Sequence, residues 1–142
     1  PESVTLTMTA EGLLSRQYLG ASPDSLSMKS GSGWLLSSVN EPLWKEGRRN
    51  VYEWYYTAQT LHNLGGDDWY LWYQTVAREI VRAQTKSGST KAGKDVRGSW
   101  DPINPAGAYH EYAAQAGRLY ITAMSVLILE TPYRHAPIYR RE

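Results

Sequence analysis

The chain has 142 residues, 42% of them apolar and 20% charged, with a net charge of +1. That length suits one domain with a real core, and so even a balance excludes the basic field that a nucleic-acid partner or an anionic membrane surface would call for. Cysteine is absent, which removes disulfides and thiolate metal sites, and the longest apolar run, residues 123–129, is far too short to span a bilayer.

Helical spacing recurs along the chain and predicts six helical segments, five of them with definable ranges. The first covers residues 3–19, with Ala10, Leu13, Leu14 and Tyr18 near one face and Gly20 as its stop. The second begins at Ser22-Pro23-Asp24, a serine N-cap followed by a proline suited to the first turn. It runs to about Val39 through Gly31 and Gly33, each costing about 1 kcal/mol against alanine. Close helix contact and a local break explain those glycines equally well. Residues 40–49 form a loop.

The third helix, residues 50–64, has the clearest period: Val51, Trp54, Tyr55, Ala58, Leu61 and His62 fall at i, i+3, i+4, i+7 spacing. A second, semi-polar stripe of Tyr52, Tyr56 and Gln59 predicts burial on two sides. Gly65-Gly66 ends it, and Asp67 caps a fourth helix running to about Gln84, so that helices three and four form an antiparallel hairpin. Residues 85–108 are a long connection, with a polar, glycine-rich first half and a rigid second half holding Trp100 and two prolines. The fifth helix, about residues 109–130, is apolar nearly all round from Ile121 onward, which predicts a central position, and Thr131-Pro132 stops it. The tail, residues 133–139, is expected to pack down. No strand pattern appears.

Aromatic usage is skewed to eleven Tyr and six Trp with no Phe. Such side chains join an apolar body to a polar tip. They suit the half-buried faces of helical hairpins first, and wet inner surfaces or ligand grooves second.

Several motifs in order carry a resemblance: Tyr52 to Tyr56, Gly65-Gly66-Asp67-Asp68-Trp69, Gln84-x-x-x-Gly88, Gly98-Ser99-Trp100-Asp101-Pro102, Gly117-Arg118-Leu119-Tyr120, and the closing Tyr133-Arg134-His135-Ala136-Pro137-Ile138-Tyr139. Together they resemble the squalene cyclase and protein prenyltransferase superfamily, most closely the C-terminal part of bacterial squalene-cyclase-like proteins. The upstream Gly12-Leu13-Leu14, Arg16, Tyr18-Leu19-Gly20 and Gly31-x-x-Trp34-Leu35-Leu36 fit a preceding repeat, so the resemblance spans most of the chain. It implies an α/α toroid in which Gln84, Gly88 and Trp100 pin stacked hairpins. The chain departs from the pattern by inserting residues 89–97 between Gln84 and Trp100. It also lacks the Asp-x-Asp-Asp acid of the cyclases and the cysteine ligand of the zinc prenyltransferases. A full toroid takes about six hairpins and this chain supplies about three.

Candidate residues follow from both lines. On an inner toroid helix Tyr52, Glu53, Tyr56 and Gln59 would line a cavity, an acid among tyrosines resembling a carbohydrate platform or the floor of a terpene pocket; helix packing with a solvated glutamate is the plainer account. Arg118 and Tyr120 join this set, although a buried arginine calls for a partner such as Asp101 or Glu130. Asp67 and Asp68 serve as helix caps before they serve as paired acids. His62 sits on an apolar face, His110 could pair with Glu111, and His135 lies in the tail; three scattered histidines argue against a metal, and no cofactor is implied.

The expectation is therefore an all-α single domain, residues 1–142, of about three hairpins from a partial α/α toroid, and a piece of a longer chain. Its expected role is non-catalytic binding or scaffolding, and whether a small molecule or a glycan is its ligand is not read from the sequence. The alternative is part of a toroid-class enzyme whose catalytic residues lie outside it. Bare flanks at the ends, Leu13, Leu14, Leu35 and Leu36 on one side and Leu127, Ile138 and Tyr139 on the other, predict a homodimer or contact with the remainder of the parent chain.

Overall fold

Side-chain caps decide where three of the helices begin. In the computed structural model, which describes residues 4–139, Thr5 Oγ1 accepts the Met8 amide (3.1 Å), Ser25 Oγ that of Met28 (3.4 Å) and Asn50 Oδ1 that of Glu53 (3.1 Å). The helices are α1 (Leu6–Tyr18), α2 (Leu26–Leu35), α3 (Val51–Leu64), α4 (Gly66–Ala83) and α5 (Ala113–Arg134), with a 3-10 turn at Ser38–Asn40. The fold is all-α: among the described residues more than half are helical, and the extended pairing is a lone bridge between Ser89 and Asp95. No helix among them is long and apolar enough to cross a membrane.

The second helix is shorter than its pattern predicts. Ser22 makes a turn by accepting the Asp24 amide at 3.2 Å, which leaves Ser25 to cap, and the helix stops at Leu35. Gly31 reports close helix contact, since a Cβ there would lie 2.8 Å from Leu13 Cδ1, whereas Gly33 faces open space and the helix passes through it unbroken. The fourth helix starts one residue before Asp67. Gly65 and Gly66, at φ 67° and 78°, turn the chain, and no side chain caps it. Asp67 and Asp68 thus lie exposed in the first turn, where they complement the helix dipole.

Helix α3 is the hub. It packs on α1, α4 and α5, while α2 folds back on α1. Its Val51, Trp54, Ala58 and Leu61 meet Trp72, Val76 and Ile80 of α4, Ile121 and Ile128 of α5, and Trp100. A smaller cluster of Ala10, Leu13, Met28 and Leu35 fills the α1–α2 hairpin. Between α1 and α3 runs a buried polar ladder. Gln17 Nε2 donates to Thr60 O (3.0 Å), Asn63 Nδ2 to Gln17 Oε1 (2.9 Å) and Thr60 Oγ1 to Ala10 O (3.2 Å). The tail packs down on this ladder: the Ile138 amide donates to Asn63 Oδ1 at 3.2 Å, and the Tyr139 hydroxyl to Ala21 O.

Two expectations are corrected here. Leu13, Leu14 and Leu35 are buried within the chain rather than bare, because α1, α2 and α3 cover one another. Helix α5 is peripheral. Ile121, Ser125 and Ile128 face the core, while Leu119, Ala123, Val126 and Tyr133 lie exposed at i, i+4, i+7 and i+14. Its range also differs. Tyr112 sits at φ 66°, which delays the start to Ala113, and Gly117 at φ 85° kinks it. Pro132 falls within the last turn, where the lost amide removes one bond and the helix continues to Arg134.

The inserted residues 89–97 are accommodated as a self-contained hairpin. The Thr85 amide donates to Ser99 O and that of Gly98 to Thr85 O, both at 2.8 Å, and the Val96 amide donates to Gly88 O at 3.2 Å. Gln84 Nε2 closes the base on Gly98 O at 3.0 Å. Trp100 is therefore delivered to the core, 2% exposed, with its indole N–H on Ile80 O at 2.7 Å. That carbonyl is one of the last four of α4, which lack helical partners. Trp100→Ala should cost about 3–5 kcal/mol, read as the shift of the urea unfolding curve; an unchanged midpoint would refute the wedge.

Candidate functional site

Arg49 is the largest fully buried side chain among the described residues. Its Nε lies 2.9 Å from both Glu111 carboxylate oxygens and its Nη2 is 2.7 Å from Oε1. Nη1 and Nη2 also donate to the Asp101 and Pro102 carbonyls at 3.0 and 2.9 Å, and the guanidinium lies 5.3 Å from the Trp44 ring centroid. Glu111 in turn accepts the Val51 amide at 3.1 Å. Gly107 is required beside this pair, since a Cβ there would stand 2.0 Å from Glu111 Oε1. The Ala108 amide donates to Arg49 O at 2.7 Å, and the Tyr120 hydroxyl to Glu111 O at 2.9 Å. Residues 108–112 are thus held against the start of α3.

What this loop carries is aromatic. Tyr52 of α3 meets Tyr112 edge-to-face with centroids 6.2 Å apart, and meets Tyr56 likewise at 5.2 Å. His110 lies between Tyr109 (4.3 Å) and Tyr112 (6.1 Å). Against them stand Leu6, Met8 and Glu11 of α1, and the whole encloses a groove of about 530 Å³. This volume falls within the range of small-molecule sites. The Tyr56 hydroxyl, burial and the Glu11 carboxylate all push the Tyr52 phenol above its ordinary value. Burial, with the negative charge of Glu111, pushes Tyr120 up to about 12. Both stay protonated; of the two only Tyr52 lines the groove, which offers its neutral hydroxyl together with the Tyr109 and Tyr112 rings and the Glu11 carboxylate.

Glu53 lines a separate cleft of about 160 Å³ with Arg48, Asn50 and Trp54. Burial pushes its carboxyl up to about 7, against the opposing bond from the Thr57 hydroxyl. The remaining sequence candidates take structural places. Tyr56 packs edge-on to Tyr52 and Tyr55, and Gln59 is buried with its amide 3.3 Å from Tyr55 O. Arg118 bridges Ser99 Oγ, Trp100 O and, at 3.2 Å, Asp101 Oδ2, so Asp101 is its partner. Burial raises the Asp101 carboxyl, but the Asn104 and Ile103 amides and Arg118 hold it below its ordinary value overall. The expected cavity stripe is therefore split: Tyr52 enters the larger groove, Glu53 the smaller cleft, and Tyr56, Gln59, Arg118 and Tyr120 line neither.

Glu111 pairs with Arg49 rather than with His110, whose Nδ1 lies 3.4 Å from the Tyr112 hydroxyl. His62 packs on Trp69 at 5.0 Å, and its Nδ1 and His135 Nε2 are enclosed without partners. Burial lowers both imidazoles, and the proximity of His135 lowers His62 further. Among the described residues no group of three or more potential metal ligands converges. Glu11, Tyr109, His110 and Tyr112 were not singled out as groove residues from sequence. The available signal was the dense run Tyr109-His110-Glu111-Tyr112, absorbed there into a helix. Comparison with protein families, characterised proteins and solved structures finds no match to the chain.

Two outcomes follow. Arg49→Met should cost about 3–5 kcal/mol in chemical denaturation, because Glu111 is left charged and buried, and Glu111→Leu added to it should recover part of the loss. Strictly additive losses would mean that the pair is not coupled. Glu53 sets a pH trend. The folded state keeps its proton up to about 7 and the unfolded chain releases it near 4.5. Its contribution is therefore full below 4.5 and declines as pH rises through 7. Glu53→Gln should stabilise the fold at pH 8 by about 2–3 kcal/mol and change little at pH 4; equal melting temperatures at pH 8 would contradict this.

Proposed function

We propose that the chain is a non-catalytic binding domain of α/α-toroid type, related to squalene-cyclase-like proteins, and that its ligand site is the groove between α1 and the 108–112 loop. The observation that carries this reading is the groove itself. A tyrosine-rich cavity of about 530 Å³ is built at the meeting of three chain segments and held by a buried ion pair. Tyr112 adds weight, since a non-glycine residue at φ 66° is a strained backbone of the kind that collects at ligand sites. Titration with a panel of small organic molecules and oligosaccharides, followed through the tyrosine ring signals by NMR, tests it. Binding that weakens in Tyr109→Ala, a residue 90% exposed, is the expected result; binding indifferent to that change, or none, would count against the groove.

Assembly belongs to the same proposal. The exposed α5 stripe of Leu119, Ala123, Val126 and Tyr133 has helical-repeat spacing, and stacked hairpins bury such faces against a neighbour. A second copy or the rest of a longer chain is the natural occupant. Sedimentation at micromolar concentration should detect a dimer that Val126→Glu dissociates; a monomer insensitive to that change would leave the stripe without a role in self-association. A toroid-class enzyme remains the second reading. It draws on Glu53, a buried acid that holds its proton near neutrality, and it requires turnover that Glu53→Gln abolishes and Tyr109→Ala spares.

A further inference from the structure

We infer that the groove selects a small organic cation, an alkylammonium or quaternary ammonium head on a short apolar stem; this rests on the groove being the binding site proposed above. The lining decides the charge. Among its described residues stands one carboxylate, Glu11, and no lysine or arginine. An anion would meet that carboxylate with the exposed His110 imidazole as the lone basic group in the described lining. A purely apolar guest would strip water from Glu11 and return nothing. A cation gains from the carboxylate and from the faces of Tyr52, Tyr109 and Tyr112, because an aromatic ring carries a negative π face that attracts ammonium groups, most strongly when water is displaced. Met8 adds a polarisable thioether to the same wall.

The polar groups of the lining argue against a sugar. Carbohydrate recognition consumes several fixed donors and acceptors, yet two of those present are already engaged in helix starts. Thr5 Oγ1 accepts the Met8 amide and Asn50 Oδ1 accepts that of Glu53. The Tyr52 hydroxyl stays protonated beside Tyr56 and Glu11, so its ring remains neutral. The backbone that carries these rings is also tied down. Tyr112, at φ 66°, meets Tyr52 edge-to-face, and Tyr109 and His110 stand on a loop tied to Arg49 through Glu111. The ordering left for binding is that of exposed side chains such as Tyr109 rather than of the loop.

The experiment compares choline with 3,3-dimethylbutan-1-ol, its uncharged isostere, and with a neutral disaccharide, by calorimetry and NMR at pH 8 on the full chain. Choline should bind at least about tenfold more tightly than the isostere. Glu11→Gln and Tyr109→Ala, both on partly or fully exposed side chains, should each weaken choline about tenfold while the circular dichroism spectrum is unchanged. Equal affinity for choline and the isostere, or full affinity in Glu11→Gln, would overturn the cation inference. A disaccharide that binds in the groove while choline does not would overturn it too and leave the binding reading standing. Silence to all three would remove both.

Discussion

The Arg49–Glu111 pair is the constraint on which the site depends. Its two charges are almost wholly removed from water, a cost of several kcal/mol per ion that only close geometry and filled hydrogen-bond positions offset. Both conditions are met: the guanidinium reaches the carboxylate on two nitrogens and two carbonyls besides, and the carboxylate takes a backbone amide. These groups come from residues 49–51, 101–102 and 111. The pair therefore closes two long loops at one point, and the cost of closing them is entropic and local. The Arg118–Asp101 bridge next to it is of another kind. It is about one-third exposed on both sides, so water screens it and its contribution is small. The buried pair fixes the 108–112 loop, and the exposed one trims the turn that feeds it.

Helix α3 supports that loop from the other side. Ten of its residues are buried and several are polar, an expensive choice in a hub helix unless each group finds a partner. Gln17, Thr60 and Asn63 satisfy one another and fix the register of α1 on α3, and that register is what sets Glu11 and Met8 across from Tyr52. Two buried ionisable features stand apart from this ladder and act in opposite directions. Glu53 costs more as pH rises through 7, whereas the lowered His62 and His135 cost more as pH falls below the ordinary imidazole value of 6.5. Their sum flattens the pH profile, so single substitutions rather than the whole-chain curve separate them.

Most of the fold was legible in sequence where period and punctuation agreed. Residues 51–64 have an unbroken apolar period and a glycine pair after them, and the α3–α4 hairpin appears within one or two residues of its expected bounds. The errors fall where a tertiary contact overrode a local signal. Nothing in Tyr109-His110-Glu111-Tyr112 forbids a helix; Arg49, some sixty residues earlier, captures Glu111 and holds the loop open. The apolar circumference of α5 predicts a central helix, yet Ala123 and Val126, with Leu119 and Tyr133 beyond them, face solvent. The groove was legible only through Tyr52, because its other walls come from α1 and from the loop mistaken for helix. Trp100 was found from its motif, while the means of delivering it, a hairpin that folds the insertion out of the way, required long-range pairing that no local pattern reveals.

The two ends of the helical stack are finished differently, and this bears on how it would extend. At the α1–α2 end Leu13, Leu14 and Leu35 are covered while Leu19 and Leu26 stay exposed, Gly31 lets the helices close on Leu13, and the tail lies over the α1–α3 seam through Ile138 and Tyr139. At the α5 end Leu119 and Tyr133 stand free of cover and Val126 is partly exposed. Apolar residues left out singly mean little, but a stripe in helical register is the face a neighbouring helix would cover. Tail and stripe belong to one continuous stretch, α5 and the residues after it. His135, half-buried on that same stretch, has its Nε2 enclosed without a partner.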